Sequence, residues 1–179
     1  MKHEVKFSGF GGQGIVLSAV VLGRAAAMYD GKYAVQSQSY GPEARGGASS
    51  STVIISEKPI QYPKVLEPSI YVIMSEAGFL KFGVGAPKTA VMLIDSGLVQ
   101  SRPACRCIEI PATSRAKEEL GKPIVANIVM LGALVAATGI VSEDAMQKAI
   151  LDTVPKGTEE LNKKALKLGI ELASGGGDS

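Results

Sequence analysis

Six residues near the N-terminus constrain the fold more than any other feature of the chain. Residues 9–14 read GFGGQG, which matches the pattern G-x-G-x-x-G. An apolar segment typical of a buried strand precedes them, and residues 15–29, which are apolar and rich in alanine, predict a helix. A strand, a glycine turn and a helix in this order are typical of α/β domains, where the amides of the helix N-terminus can face a phosphate group.

The rest of the chain continues this alternation and then becomes helical. Strands are predicted over 33–39, 50–56, 69–75, 89–95 and 105–110, and helices over 112–120, 124–139, 142–152 and 157–173. Short apolar strands without strict alternation are covered on both faces, as in parallel sheets. The sequence therefore predicts a single three-layer α/β domain over residues 1–173, with a mostly parallel sheet and a helix-rich C-terminal third. Residues 174–179 are expected to form a flexible tail.

Composition argues against several classes of function. The 179 residues carry 19 Lys and Arg against 17 Asp and Glu, and only 5% are aromatic, so neither a basic stripe nor a stacking platform for nucleic acid is expected. The charged N-terminus lacks an apolar stretch long enough for a signal peptide. Residues 124–141 are apolar but contain Asn127, and they predict a buried core helix rather than a membrane span. We therefore expect a cytoplasmic protein that binds neither nucleic acid nor membranes.

Side chains that carry chemistry are scarce. The chain has two cysteines, Cys105 and Cys107, and one histidine, His3, whereas an iron–sulfur cluster needs about four thiolates. The two cysteines lie two residues apart in a predicted strand, so we expect them to pack on one face. No G-x-S-x-G motif is present, and no internal histidine can act as a base. The sequence thus predicts no catalytic residue and no metal site in this chain, which is expected to work beside a partner.

The glycine turn has two interpretations. A dinucleotide site would need an acidic residue at the end of the second strand, but that strand ends in Gln38 and Ser39, and Asp30 precedes it in an expected turn. We therefore favour a packing turn that presents backbone amides, or Gln13, to an interface or an anionic group. A free-standing nucleotide-binding module remains the alternative.

The loop after the second strand has an unusual content. Residues 36–47 read QSQSYGPEARGG, which places amides, a phenol, a carboxylate and a guanidinium at the end of a predicted parallel strand. Ligands of α/β sheets bind at the carboxyl ends of strands, where the glycine turn also lies. The guanidinium of Arg45 suits a carboxylate or a phosphate. The alternative is a surface ion pair between Glu43 and Arg45, which would contribute little.

Several segments together resemble a known family. They are FSGFGGQGI at the start, QSQSYGPEARGGASSSTVIIS, IQYPKV at 60–65, NIVMLG at 127–132 and NKKA at 162–165. With these residues the chain resembles the gamma subunit of 2-oxoacid:ferredoxin oxidoreductases along nearly its whole length. The form SQSYGPEARGG is most similar to the 2-oxoglutarate branch.

The resemblance implies a subunit of an oxidoreductase that is inactive alone. Such a complex decarboxylates a 2-oxoacid on thiamine diphosphate, passes electrons through iron–sulfur clusters to ferredoxin and transfers the acyl group to coenzyme A. In this family the alpha and beta subunits build the thiamine site, the beta and delta subunits carry the clusters, and the gamma subunit packs against them. The resemblance places these residues at the active-site cleft or the partner interface: Gly11, Gly12, Gln13, Gly14, Tyr40, Gly41, Pro42, Glu43, Arg45, Gly46 and Gly47.

Overall fold

One six-stranded sheet organises the computed structural model, which describes residues 1–39, 47–65 and 67–175. The strands are β1 (Lys2–Phe10), β2 (Tyr33–Ser39), β3 (Ala48–Ser56), β4 (Ile70–Ile73), β5 (Val91–Asp95) and β6 (Arg106–Ile110). They lie in the order β2-β3-β1-β4-β5-β6, and β1, β4, β5 and β6 are parallel. The predicted α/β fold with a mostly parallel sheet is confirmed.

Strand β3 is the exception, since it runs antiparallel to both of its neighbours. It pairs with β1 along the full length of both strands, from Lys2 opposite Ser56 to Phe10 opposite Ala48. It also pairs with β2, which therefore runs in the same direction as β1. Only residues 40–47 connect β2 to β3, and a parallel crossover needs a dozen or more residues. The short connection forces the chain to reverse.

Helices cover the two faces of the sheet unequally. The helices are α1 (Ile15–Arg24, continued by a π-helical turn Ala25–Tyr29), α2 (Glu76–Gly78, continued by a π-helical turn Phe79–Gly83), α3 (Ala112–Leu120), α4 (Ala126–Thr138), α5 (Glu143–Thr153) and α6 (Glu159–Gly175). Five of them share one core with Val5, Phe7 and Val72 on one face of the sheet. On the other face Phe79, which follows α2, packs with Tyr71 and Met92. Residues 76–83 were not predicted to be helical.

Helix α4 lies at the centre of the larger core. Every residue from Ala126 to Val135 is buried, which explains why its sequence is apolar on all sides. The prediction of a core helix in this segment is confirmed. Among the described residues, no helix is both long enough and apolar enough to cross a membrane.

The C-terminal helices follow the predicted boundaries closely. Helix α3 covers the predicted residues 112–120, and the hydroxyl of Ser142 accepts a hydrogen bond from the Ala145 amide at the start of α5. Helix α6 continues to Gly175, two residues beyond the predicted domain end. The two cysteines also pack as expected, since Cys105 is buried in the smaller core and Cys107 lies against it. Because β1, β4 and β5 are parallel, their carboxyl ends lie at the same edge of the sheet, where α1 also begins.

Candidate functional site

The glycine turn joins β1 to α1 at this edge of the sheet. Gly12 has a φ of +90° and Gly14 a φ of +74°, in the left-handed region that L side chains rarely adopt. The amide of Gln13 donates to the carbonyl of Phe10 at 3.2 Å and closes the turn. Glycine is therefore required at two of these positions by the backbone itself, before any ligand or partner is considered.

The side chain of Gln13 has an internal role. Its Oε1 accepts a hydrogen bond from the Phe10 amide at 2.6 Å, and its Nε2 donates to the carbonyl of Met74 at 2.9 Å. Because Met74 follows β4, the side-chain amide of Gln13 connects the end of β4 to the glycine turn that follows β1. Gln13 is half-buried, and both ends of its side-chain amide are bound within the chain. Its place at a partner interface stays a prediction.

Asn127 couples the glycine turn to the central helix. Its Nδ2 donates to the Gly14 carbonyl at 3.4 Å, and the residue is only 4% exposed. A β-carbon at Gly14 would overlap this amide group. In the sequence, Asn127 served as evidence against a membrane span and as part of the segment 127–132 that resembles the family, and its contact with Gly14 was not predicted. A single amide in an apolar run was the signal that it contacts something polar.

Two clefts flank the turn on the side of the larger core. The first has a volume of about 300 Å³ and is lined by Gly12, Gln13, Met74, Thr113, Pro123, Ile124 and Ala126. The second has a volume of about 310 Å³ and is lined by Gly12, Gly14, Leu17, Ile124, Val125, Asn127, Ile128, Val154, Pro155, Thr158, Leu161 and Asn162. The two share Gly12 and Ile124, and none of these residues is charged although charged residues form 20% of the chain. The described residues that line the two clefts therefore include no cation for an anionic group.

The second predicted region, the loop after β2, lies largely outside the described residues. The predicted site residues of this loop that lie outside the described part are Tyr40, Gly41, Pro42, Glu43, Arg45 and Gly46. Gly47 is described and is half-buried just before β3. Strand β3 lies between β1 and β2, so this loop and the glycine turn do not follow adjacent strands. The start of β3 nevertheless lies beside the turn, because Ala48 pairs with Phe10.

One buried carboxylate lies at the same edge. Asp95 ends β5 and has no exposed surface. Its Oδ2 accepts from the amide and the hydroxyl of Thr113, at 3.1 and 2.5 Å, and its Oδ1 accepts from the Gly97 amide at 3.4 Å. Burial raises the pKa of the Asp95 carboxyl, and the hydrogen bonds from Thr113 oppose this shift in part. Asp95 thus holds the start of α3, whose N-cap Pro111 makes no side-chain cap.

The structure also bears on nucleotide and metal binding. The carboxylate of Asp30 accepts from the amide and the hydroxyl of Ser142, at 2.7 and 2.8 Å, and so it connects the turn before β2 to the start of α5. Asp30 therefore lies before the start of β2, whereas a ribose ligand would need an acidic residue at the carboxyl end of that strand. Within the described residues, no three His, Cys, Asp or Glu side chains come together as a metal site would require.

Comparison with known proteins identifies the family. Residues 4–172 match the model of the family described as pyruvate ferredoxin/flavodoxin oxidoreductase. The chain belongs to this family. It is 54% identical over 177 residues to the 2-oxoglutarate synthase subunit KorC of Methanocaldococcus jannaschii, and the match covers 97% of this chain and 95% of the relative.

One solved structure supports this assignment, and a second shares the fold. The keto/oxoacid ferredoxin oxidoreductase gamma subunit of Geobacter sulfurreducens superposes with a TM-score of 0.89 at 44% identity, over 97% of this chain and 99% of that chain. The 2-oxoglutarate:ferredoxin oxidoreductase of Magnetococcus marinus, solved with 2-oxoglutarate, coenzyme A and succinyl-CoA, superposes with a TM-score of 0.86 at 19% identity. The second likeness concerns the fold alone. It covers 97% of this chain but 31% of the other, so this fold also occurs as one part of a longer polypeptide.

Proposed function

We propose that the chain is the gamma subunit of a 2-oxoglutarate:ferredoxin oxidoreductase. The reaction converts 2-oxoglutarate, coenzyme A and two oxidised ferredoxins into succinyl-coenzyme A, carbon dioxide, a proton and two reduced ferredoxins. The observation that carries the proposal is the 54% identity to a 2-oxoglutarate synthase subunit over nearly the full length of both chains. The rival interpretation, a free-standing nucleotide-binding module, is not supported, since Asp30 is bound to Ser142.

The cofactors of the reaction belong to other subunits in this proposal. Thiamine diphosphate supplies the carbanion chemistry that decarboxylates a 2-oxoacid, and iron–sulfur clusters carry the electrons to ferredoxin. The 179 residues include two cysteines, and about four thiolates hold a cluster, so these residues do not suit a cluster of their own. Following the resemblance to the family, we assign thiamine diphosphate to the alpha and beta subunits, and the clusters to the beta and delta subunits. The complex is proposed to work in the cytoplasm.

The role proposed for this chain is to complete the surroundings of the active site. Gly11 to Gly14 and the loop from Tyr40 to Gly47 are proposed to face the partner subunits or the bound substrates. In support, β3 begins directly after that loop, and its first residue Ala48 pairs with Phe10 at the glycine turn. Arg45 is the residue in these segments that suits the carboxylates of 2-oxoglutarate or the phosphates of coenzyme A.

Purification of the native complex tests this proposal. The gene would be tagged at its chromosomal locus, and the purified assembly would be analysed for subunits, iron, thiamine diphosphate and 2-oxoglutarate oxidation. We expect stoichiometric alpha and beta subunits and an assembly that contains iron and thiamine diphosphate. A tagged chain that purifies alone, or within an assembly that oxidises pyruvate but not 2-oxoglutarate, would contradict the proposal.

A further inference from the structure

The two edge strands of the sheet differ in how they are protected. Strand β6 forms one edge with five residues, of which Arg106 and Glu109 are charged and exposed, and Pro111 follows it directly. Strand β2 forms the other edge with seven residues, which include no charge and no proline, and it pairs with β3 in unbroken register. Short length, charge and proline are common means of keeping an edge strand from pairing with another chain. Strand β2 has none of them.

The outer edge of β2 is open within the described part of the chain. There, all hydrogen bonds of this strand go to β3, including the one between the hydroxyls of Ser37 and Thr52 at 2.6 Å. Helix α1 contacts β2 from the face of the larger core, against which Ala34 packs. Every second residue of an edge strand directs its N–H and C=O away from the neighbouring strand. Strand β2 therefore presents a row of backbone donors and acceptors for which the described residues supply no partner.

Gln38, near the carboxyl end of β2, provides a second observation. Its Oε1 is the one buried side-chain nitrogen or oxygen atom without a hydrogen-bond partner among the described residues. Gln36, on the same face of the strand, instead donates through its Nε2 to the hydroxyl of Ser51 at 3.2 Å. A buried acceptor without a donor is destabilising, and the cost is relieved when the side chain turns toward a donor. The free chain thus leaves one polar group unsatisfied on the strand that has an open edge.

The chemistry of the edge determines what can occupy it. Backbone donors and acceptors that alternate along an extended strand are matched by those of another extended strand. The side chains of the added strand lie beside those of β2, which are uncharged and offer no counter-charge. The occupant is therefore an extended polypeptide segment with uncharged side chains at the contact.

The position of β2 in the chain indicates which molecule supplies this segment. Strand β2 leads directly into residues 40–47, which are proposed to face the partner subunits, so a partner bound there also lies beside the end of β2. A second copy of this chain is the other candidate. Pairing of two seven-residue edges, however, buries much less surface than the about 1,200–2,000 Å² of a stable interface. Another subunit can add the strand as one part of a larger contact.

We propose that β2 receives a seventh strand, which is an uncharged extended segment of another subunit of the same complex. Backbone hydrogen bonds hold this segment along the outer edge of β2, and the side chain of Gln38 turns to accept from one of its N–H groups. The inference rests on the proposed function, which supplies the other subunits. It explains why the two edges of one sheet are built differently, since only β2 has to accept another strand.

Hydrogen exchange tests the added strand without any substitution. The backbone amides of β2 and β6 would be followed in the free chain and in the complex assembled from this chain and the remaining subunits. The outward amides of β2 exchange rapidly in the free chain, and we expect at least a hundredfold slower exchange in the complex. The amides of β6 report the second edge and should change less than threefold. Unchanged exchange over residues 33–39, or equal slowing at both edges, would overturn the proposal.

Ser37→Lys places a charge on the open edge. The remaining subunits would be purified as a subcomplex, and the affinity of the added chain would be measured by titration. We expect at least tenfold weaker binding with a melting temperature close to that of the wild type, because Ser37 is exposed. Thr89→Lys is the matched control, since Thr89 is an exposed hydroxyl residue before β5, and β3, β1 and β4 separate β5 from β2. Binding of this control should stay within twofold of the wild type.

Gln38→Met tests the unsatisfied amide separately. The substitution keeps the length of the side chain but removes the acceptor that lacks a donor in the free chain. We expect unchanged or higher stability of the free chain and about fivefold weaker binding to the subcomplex. Gln36→Met is the comparison, because it loses the hydrogen bond to Ser51 and should lower the stability of the free chain. Wild-type affinity of Gln38→Met would exclude the proposed bond from the added strand to Gln38.

The outcomes separate the two proposals. If the wild-type chain does not bind the subcomplex, the proposed function fails. If the wild type binds but Ser37→Lys binds as tightly as Thr89→Lys, the added strand fails while the proposed function stands. A dimer of the free chain that Ser37→Lys dissociates would assign the edge to a second copy and would also overturn the added strand.

Discussion

Gly132 on α4 and Gly169 on α6 face each other where the two helices cross. A β-carbon at Gly132 would lie 3.2 Å from the Cα atom of Gly169 and would overlap the carbonyl of Leu166. A β-carbon at Gly169 would overlap the carbonyl of Val129. Backbone atoms inside two packed helices cannot move aside as a flexible side chain can. The close approach of α6 to the central helix therefore depends on both glycines.

Gly169→Ala is accordingly expected to destabilise the fold. Forcing an extra methyl group into a packed core costs about 1–3 kcal/mol, and the overlap here is with backbone, so the upper part of that range is expected. Gly175→Ala is the control on the same helix, because no atom lies within 4 Å of its added carbon. Chemical denaturation of both variants provides the measurement. Equal stability of the two would show that α4 and α6 are not held at this distance.

Gly14→Ala tests the glycine turn. The alanine would have to adopt a φ near +74° and would also overlap the side chain of Asn127. The left-handed conformation alone costs about 1–2 kcal/mol for an L residue, so we expect a larger loss of stability than that. In an Asn127→Ala background the overlap is removed but the backbone strain is kept. Gly14→Ala should therefore cost less stability in that background than it costs in the wild type.

The control for this series is Gly11→Ala. Gly11 has no positive φ, and no atom lies within 4 Å of its added carbon, so its folding stability should stay within about 0.5 kcal/mol of the wild type. A Gly14→Ala protein as stable as Gly11→Ala in urea denaturation would contradict the described geometry of the turn.

Asp95 predicts a specific dependence of stability on pH. Burial raises the pKa of its carboxyl in the folded state, so the folded protein holds this proton at pH values where the unfolded chain has lost it. The contribution of Asp95 to the free energy of unfolding is therefore fully present below the ordinary pKa of Asp. It is lost as the pH rises through the raised folded-state pKa.

Asp95→Asn removes this titration. The difference in free energy of unfolding between wild type and Asp95→Asn should shift in favour of the variant as the pH rises through that window. Urea denaturation at a series of pH values measures the difference, and Glu118→Gln, at an exposed position on α3, reports the background. A difference that does not change with pH, or that shifts in favour of the wild type, would be inconsistent with a raised pKa.

Arg45 carries the prediction that depends most on the sequence. Arg45→Ala in the assembled complex should lower activity at least tenfold, which corresponds to about 1.4 kcal/mol, because the guanidinium is proposed to bind an anionic substrate or to order the loop that does. Arg45→Lys should restore part of the activity, since an ammonium lacks the planar pair of donors. Steady-state kinetics that vary 2-oxoglutarate and coenzyme A separately would decide. Wild-type constants for Arg45→Ala in both titrations would exclude the role.

The sequence predicted those features that local chemistry determines. The glycine turn and the boundaries of α3 follow from residues next to each other in the chain. The orientation of β3 was also readable, because residues 40–47 are too few for a crossover, but the β-rich composition alone did not reveal it. The helix over 76–83 was missed because two glycines and a π-helical turn hide its periodicity.

Contacts between distant parts of the chain could not be predicted in this way. Gly132 and Gly169 are weak helix formers when each is considered alone, and their role appears only when α4 and α6 are placed together. Asn127 likewise gains its meaning from Gly14, which lies at the other end of the domain in sequence. The clefts beside Ile124 combine residues from the glycine turn, α4 and the α5–α6 connection. Only the folded chain brings these segments to one surface.

The most direct test of the central claim is omission and restoration of this chain in the reconstituted complex. The other subunits, loaded with their cofactors, would be assayed for coenzyme A-dependent reduction of a viologen by 2-oxoglutarate, without this chain and then with it. The account predicts negligible activity from the subcomplex, none from this chain alone, and recovery in proportion to the chain added until the stoichiometry is complete. Full turnover by the subcomplex without this chain would contradict it.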